Sequence, residues 1–305
     1  MQRLFKTVLF AGLAFAASAP ALAHELQRPW IVAHRGGAAD APENTLLAIS
    51  SALSNRADAV WLTVQLSSDA VPVLYRPQDL SANTPGRGPV SALTAEQLTQ
   101  LNAGWNFATP GSNPPSYPYR DKPTPIPTLE QALKAIPANI PVILDLKSLP
   151  APPLVQAVAK LIEQRQEWNR TLFYSTDAPF NVAWQDYPKA RSFESRDASR
   201  QRLLTVALEQ RCDQAPAAKT WTAFEWRRRL DVTETFTLGV GLSPIPAATL
   251  WTPQAVACFR SAHRDVRILF IGVDTQADYQ QAVARGANAV LVNSPAAAQT
   301  WKATP

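Results

Sequence analysis

Histidine, cysteine and methionine are scarce in this chain, at three, two and one in 305 residues. Cys212 and Cys258 have no second cysteine near them at metal-ligand spacing, which argues against a structural zinc site. An oxidising compartment would let the two close on each other, but separation in sequence does not say whether they meet. A strong charge of one sign is lacking too. The formal charge is +5, and Arg3 and Lys6 supply two of those charges within an opening segment that has no acid. What remains is too small an excess for a nucleic-acid partner. The one dense basic run, Arg227-Arg228-Arg229, follows Trp221 and Trp226 and reads as a solvated helix face, with an anionic-surface patch as the alternative.

Long apolar runs are missing as well, apart from Val8 to Ala17. That run follows Arg3 and Lys6, and the segment closes on Ala21-Leu22-Ala23, the pattern of a cleaved leader with an A-x-A site. It is shorter than the roughly 20 residues of a spanning helix. Residues 1–23 are therefore expected to be a signal peptide on a periplasmic or secreted protein, with no transmembrane segment once it is removed. Oligomeric state is not readable.

From residue 24 onward, short β-branched or apolar runs alternate with longer stretches of helical period, the signature of repeated βα units and a parallel sheet. Strands are expected at Trp30 to His34, Ala59 to Leu66, Val142 to Leu146, Thr171 to Ser175, Ala190 to Phe193, Thr237 to Leu242, Arg267 to Val273 and Ala289 to Val292. Helices are expected at Thr45 to Leu53, Leu129 to Ala135, Leu154 to Gln164, Ala198 to Leu208, Pro253 to Ala262 and Gln276 to Ala284. Eight such units point to a single (β/α)8 TIM barrel over 24–305, with an open doubly wound sheet as the alternative. The stretch from Pro77 to Thr128, rich in Pro, Ser, Asn and Gly, breaks the alternation and reads as an insertion over the barrel mouth. Its rings Trp105, Phe107, Tyr117 and Tyr119 either contact a ligand or pack the insertion onto the rim.

The first expected strand ends in Ala33-His34-Arg35-Gly36-Gly37, and Ala41-Pro42-Glu43-Asn44-Thr45-Leu46 opens the next helix. Polar residues at the C-terminal end of a barrel strand point into the active site. A His there can move a proton while a neighbouring Arg holds an anionic oxygen, and glycines let backbone amides approach a phosphate. His24 and His263 are not placed to act beside His34.

These residues resemble the glycerophosphodiester phosphodiesterase family, in which HRG, a short spacer and PENT stand at the first βα junction. Ile126-Pro127-Thr128-Leu129-Glu130 is similar to the family's segment leading into the second barrel helix. Asp145-x-Lys147 matches its acid-x-Lys strand, and Val292-Asn293-Ser294-Pro295 its closing Thr-Asp-x-Pro-like turn. The resemblance implies a barrel that hydrolyses phosphoric diesters, with a divalent cation such as calcium or magnesium as cofactor and a small phosphodiester as ligand. It also implies catalytic roles for His34, Arg35 and Lys147, substrate contact by Glu43, and metal ligation by Asp145.

The second strand departs from the family. Where the family has a Glu-x-Asp metal pair the chain has Trp61 and Thr63, and where it has a second histidine, in His-Asp after Val71-Pro72-Val73, the chain has Arg76 and Pro77. A hard divalent cation needs several oxygen ligands, and Trp61 offers none. Arg35, Arg76 and Lys147 outnumber Glu43 and Asp145, so the pocket would be positive without an ion and suited to a phosphodiester. Two readings stay open: a hydrolase of glycerophosphodiesters or related polar lipid fragments with altered metal dependence, and an inactive barrel that binds a phosphorylated ligand.

Overall fold

Short apolar runs bounded by polar turns become parallel strands in the computed structural model, which describes residues 28–302. The leader-like segment and His24 lie outside the described residues. Trp30–His34 forms β1, which turns into helix α1, Leu46–Ser54. Strand β2, Ala59–Leu66, folds back antiparallel as the short β3, Pro72–Leu74. After the small helix α2, Ala95–Thr99, the units resume with α3, Leu129–Ala135, and β4, Val142–Leu146. Then come α4, Ala151–Arg165, β5, Thr171–Tyr174, α5, Ala178–Ala183, and α6, Arg196–Leu204, which runs on as a π-turn to Glu209. Strand β6, Trp221–Glu225, leads into an antiparallel ribbon of β7, Arg228–Phe236, and β8, Gly239–Ala248. The chain ends with α7, Pro253–Phe259, β9, Arg267–Ile271, α8, Gln276–Ala284, β10, Ala289–Val292, and α9, Pro295–Lys302.

The parallel strands run in the order β5-β4-β2-β1-β10-β9-β6. Ser192 bridges to Phe173 of β5 and Phe193 to Trp221 of β6, both parallel, so residues 192–193 join the two ends of the sheet. Phe193 N donates to Phe173 O at 2.8 Å and Glu194 N to Trp221 O at 2.8 Å. The result is the TIM barrel expected from the alternation, with two differences in its strands. The fifth strand shrinks to Ser192 and Phe193. The sixth is Trp221–Glu225, while the expected strand from Thr237 to Leu242 spans the turn of the β7–β8 ribbon. Thr237 to Leu242 carries the β-branched Thr237 and Val240 and Trp221–Glu225 carries Thr222 and two aromatic rings, and propensity does not distinguish a barrel strand from a free ribbon. Arg227-Arg228-Arg229, read as a helix face, instead joins β6 to β7.

Period-two alternation sorts the strand side chains into two cores. Val32, Ala59, Trp61, Ile143, Leu172, Leu269 and Leu291 fill the barrel interior. Val60, Leu62 and Val64 point outward and pack under Leu129, Leu133, Leu154 and Val158 of α3 and α4. Each of these outward apolar side chains is essentially solvent-free and worth about 2 kcal/mol by burial alone. The insertion has its own small core, with Leu80, Val90, Leu98 and Ile126 around Val73 and Tyr75. Its rings pack on one another: Phe107 meets Tyr119 edge-on at 5.5 Å, and Arg120 lies over Tyr117 at 4.0 Å and over Trp105 at 5.0 Å.

Cys212 and Cys258 form a disulfide with Cα atoms 5.5 Å apart, tying the loop after the π-turn to α7. A loop closed over 46 residues is expected, from chain entropy, to stabilise the fold by about 4 kcal/mol. The double substitution Cys212→Ala/Cys258→Ala should lower the unfolding free energy by about that amount in urea titration, and reducing agent should then have no further effect on the variant.

Candidate active site

The site is assembled where β1, β2, β4, β6 and β10 end. After His34 the backbone enters the left-handed region at Arg35 (φ 53°), Gly36 (φ 79°) and Gly37 (φ 101°). A Cβ on Gly36 would lie 3.0 Å from Ala48 Cβ, and one on Gly37 3.0 Å from Pro295 Cδ. The two glycines therefore let the turn sit against α1 and α9 at once. In the Pro-Glu-Asn-Thr segment each side chain has a separate task. Glu43 pairs with Arg35 at 2.5 Å and accepts from Asn83 Nδ2 at 3.2 Å. Asn44, at φ 58°, accepts the Thr63 backbone N–H at 2.9 Å and pins β2. Thr45 caps α1, its Oγ1 accepting from Ala48 N at 3.1 Å.

Strand register then places the replaced positions beside the retained ones. Trp61 stands opposite His34 on one side and Ile143 on the other, and Thr63 stands opposite Asp145. Trp61 points into the barrel interior, 2% exposed, with Tyr174 at 4.8 Å and Phe193 at 6.0 Å between ring centroids. Asp145 is buried and makes an ion pair with Lys147 at 2.9 Å, while Lys147 also donates to Thr176 Oγ1 at 2.8 Å. Burial pushes the Asp145 carboxyl up, against the pull of Lys147, the Trp61 indole N–H and Arg35.

His34 is held in one tautomer by a chain of contacts from β10 and the loop after β9. Asn293 donates its side-chain amide to Asp274 Oδ2 at 2.9 Å and its backbone N–H to Asp274 Oδ1 at 2.8 Å. Its Oδ1 therefore faces His34 Nδ1, 2.7 Å away, and accepts a proton from it. Nε2 is left with a free lone pair. The His34 pKa is lowered to about 4, first by burial and then by the charge of Arg35; the Asn293 bond opposes this, and Arg76 lowers it further.

Sequence reasoning placed His34, Arg35, Glu43, Asp145 and Lys147 together, and the barrel does bring them to one end. Arg76 is exposed and acts on His34 by charge alone. Tyr174, Arg196, Glu225 and Asp274 were not singled out. Arg196 grips Glu225 with bonds of 2.8 and 2.6 Å and donates to Tyr174 Oη at 3.3 Å, forming a second ionic wall across from Lys147. Glu225 closes β6, so a correct sixth strand would have exposed it.

Three buried donors near Asp145 have no hydrogen-bond partner, Arg35 Nε, Asn44 Nδ2 and Thr63 Oγ1, while the Trp61 indole N–H is turned to the Asp145 carboxylate. Of the carboxylates of the mouth, Glu43 is held by Arg35 and Asn83, and Asp145 is ion-paired with Lys147 while its Oδ1 lacks a hydrogen bond. Among the described residues no group of three or more His, Cys, Asp or Glu side chains converges as a metal-binding set. A donor set made mostly of N–H groups does not fit a hard divalent cation, which takes six or more oxygens. It fits an anionic oxygen.

A closed βα barrel with a cationic, donor-rich mouth at its strand ends is the architecture of a phosphate-handling TIM-barrel protein. The chain belongs to the glycerophosphoryl diester phosphodiesterase family, whose model matches residues 34–297. The Mycobacterium tuberculosis protein Rv2277c is 49% identical over 274 residues, 90% of each chain. The crystal structure of its glycerophosphoryl diester phosphodiesterase domain aligns with a TM-score of 0.84 at 48% identity, covering 90% of this chain and 99% of that one. Human glycerophosphodiester phosphodiesterase 1 is 37% identical over 117 residues, 38% of this chain and 33% of its own. An Oleispira antarctica phosphodiesterase solved with the product sn-glycerol-3-phosphate shares the fold, with a TM-score of 0.63 at 20% identity over 91% of this chain and 98% of that one.

Removing Lys147 would leave Asp145 buried without its nearest counter-charge. Lys147→Met should cost about 3 kcal/mol of stability at neutral pH. Adding Asp145→Asn to that variant should recover part of the loss; chemical denaturation of the single and double variants measures both.

Proposed function

We propose that the protein is a phosphoric diester hydrolase acting outside the cytoplasm on glycerophosphodiesters or related polar lipid fragments, and that its own donors hold the phosphoryl group in place of a divalent cation. The observation that carries this reading is the set of partnerless donors on Arg35, Asn44 and Thr63. Each buried donor left unpaired costs about 1–3 kcal/mol, and phosphoryl oxygens would satisfy all of them together. Arg35 and Lys147 add charge that strengthens as negative charge builds on those oxygens in the transition state. The leader-like pattern and the Cys212–Cys258 disulfide support an oxidising, non-cytoplasmic location.

In this reading His34 is the base. Its Nδ1–H is committed to Asn293, so Nε2 takes the proton from the attacking hydroxyl. The attacking hydroxyl is that of a water molecule: its new P–O bond forms as the P–O bond to the alcohol breaks, the departing alkoxide takes a proton from solvent, and protonated His34 returns its proton to solvent. Asp274 and Asn293 position the ring without touching substrate.

Because only neutral His34 can accept that proton, kcat/KM should fall as pH drops through about 4, where its pKa is held, and not near 6.5. Arg76→Gln removes one of the charges that depress it and should move this acid limb upward. Activity of purified protein on glycerophosphocholine and glycerophosphoethanolamine, followed across pH, reads both effects. His34→Ala should lower kcat by about 100-fold or more.

EDTA should leave turnover unchanged. A large loss in EDTA restored by calcium or magnesium would return the cation to the site. Binding of these diesters without product under any condition would make the barrel a binding protein.

A further inference from the structure

Arg35 and Glu43 meet through one bond rather than two. Arg35 Nη1 donates to Glu43 Oε2, and Arg35 Nε stays buried without a partner. A guanidinium and a carboxylate left to themselves close with two parallel bonds, which is their strong geometry. Here the second oxygen is held elsewhere. Asn83 Nδ2 donates to Glu43 Oε1 at 3.2 Å, and because a carboxylate only accepts, the contact also fixes which way round the amide sits. Among the described residues Glu43 Oε1 has no other donor.

Asn83 lies 40 residues beyond Glu43, within the insertion, and much of the local structure serves to place it. It follows a short turn, Leu80–Ala82, whose Leu80 sits in the small core of the insertion. Asn83 N donates to Tyr75 Oη at 3.2 Å, and Tyr75 Oη donates to Leu80 O at 2.9 Å. From the far half of the insertion Asn106 Nδ2 donates to Ser81 O at 3.0 Å and to Ala82 O at 2.9 Å. Arg35 is fixed from the barrel side, in the left-handed region at φ 53°, with Asn44 N donating to its carbonyl at 2.7 Å. The two ends of the Glu43 bridge are thus held by separate parts of the fold.

We infer that Asn83 is a positioning residue: by holding Glu43 Oε1 it keeps the Arg35–Glu43 pair single-bonded and leaves the Nε side of the guanidinium open to a phosphoryl oxygen. Without that amide, Glu43 Oε1 turns to the nearest remaining N–H groups, those of Arg35, and competes with the ligand for them. The insertion is then part of the site and not only a cover for it. This inference rests on the reading of Arg35 as a holder of phosphoryl oxygens, but it does not require that a bound diester be cleaved.

Titration calorimetry of the full chain with inorganic phosphate tests it without turnover. The wild type should bind phosphate, and Asn83→Leu, which keeps the volume and removes the donor, should weaken binding by about tenfold, the worth of one charge-assisted hydrogen bond. Asn83→Ala should act in the same direction and serves if leucine is not accommodated. In a Glu43→Gln background no carboxylate remains to close on Arg35, so Asn83→Leu should there change the affinity by less than about twofold, a coupling that a merely structural loss would not show. The inference is overturned if the wild type binds no phosphate, if the folded Asn83 variants bind it as tightly as the wild type, or if Asn83→Leu weakens binding equally in both backgrounds. Phosphate binding with this coupling, but without cleavage of any diester, would uphold the role of Asn83 and remove hydrolysis alone.

Discussion

A carboxylate taken out of water must gain counter-charge or a proton, and Asp145 sits under that constraint at the centre of the barrel mouth. Lys147, two residues along the same chain, supplies the nearest full charge at 2.9 Å. Arg35 adds a more distant one but is itself engaged by Glu43. The surrounding groups follow from this balance. With Trp61 and Thr63 beside it on β2, no further negative charge crowds Asp145 from that strand. Two additional carboxylates at those positions without a metal would raise one another's pKa and destabilise the mouth.

Trp61 does structural and chemical work together. Its ring fills the barrel layer between His34 and Ile143 and packs on Tyr174 and Phe193. Its indole N–H favours the charged form of Asp145. The chain from Asp274 through Asn293 to His34 restrains the ring that one histidine must present alone. Fixed donors and one oriented base of this kind are the preorganisation that lets a dry site stabilise developing charge.

Much of this was legible in the chain. HRGG and PENT are short-range devices: the glycines permit a turn that other residues cannot adopt, and Glu43, Asn44 and Thr45 act within one turn of α1 or on the adjacent strand. Trp61, Thr63, Asp145 and Lys147 could be placed because strand alternation puts every second residue into the lumen. The ribbon was misread because Thr237 to Leu242 has the composition of a strand, while Trp221–Glu225, the true barrel strand, has only five residues. Asp274, Arg196 and Glu225 carry no local signal, since their partners lie 19, 22 and 29 residues away.

The amino-acid order by itself determined the barrel and the family, because each depends on period, motif or residue identity along a few neighbouring positions. Only the tertiary structure decided that Cys212 meets Cys258, that the sheet ends join through Ser192 and Phe193, and that the donors of Arg35, Asn44 and Thr63 are left buried near Asp145 without partners. Those outcomes depend on distances between segments far apart in the chain, which sheet closure and side-chain packing set and no local pattern encodes.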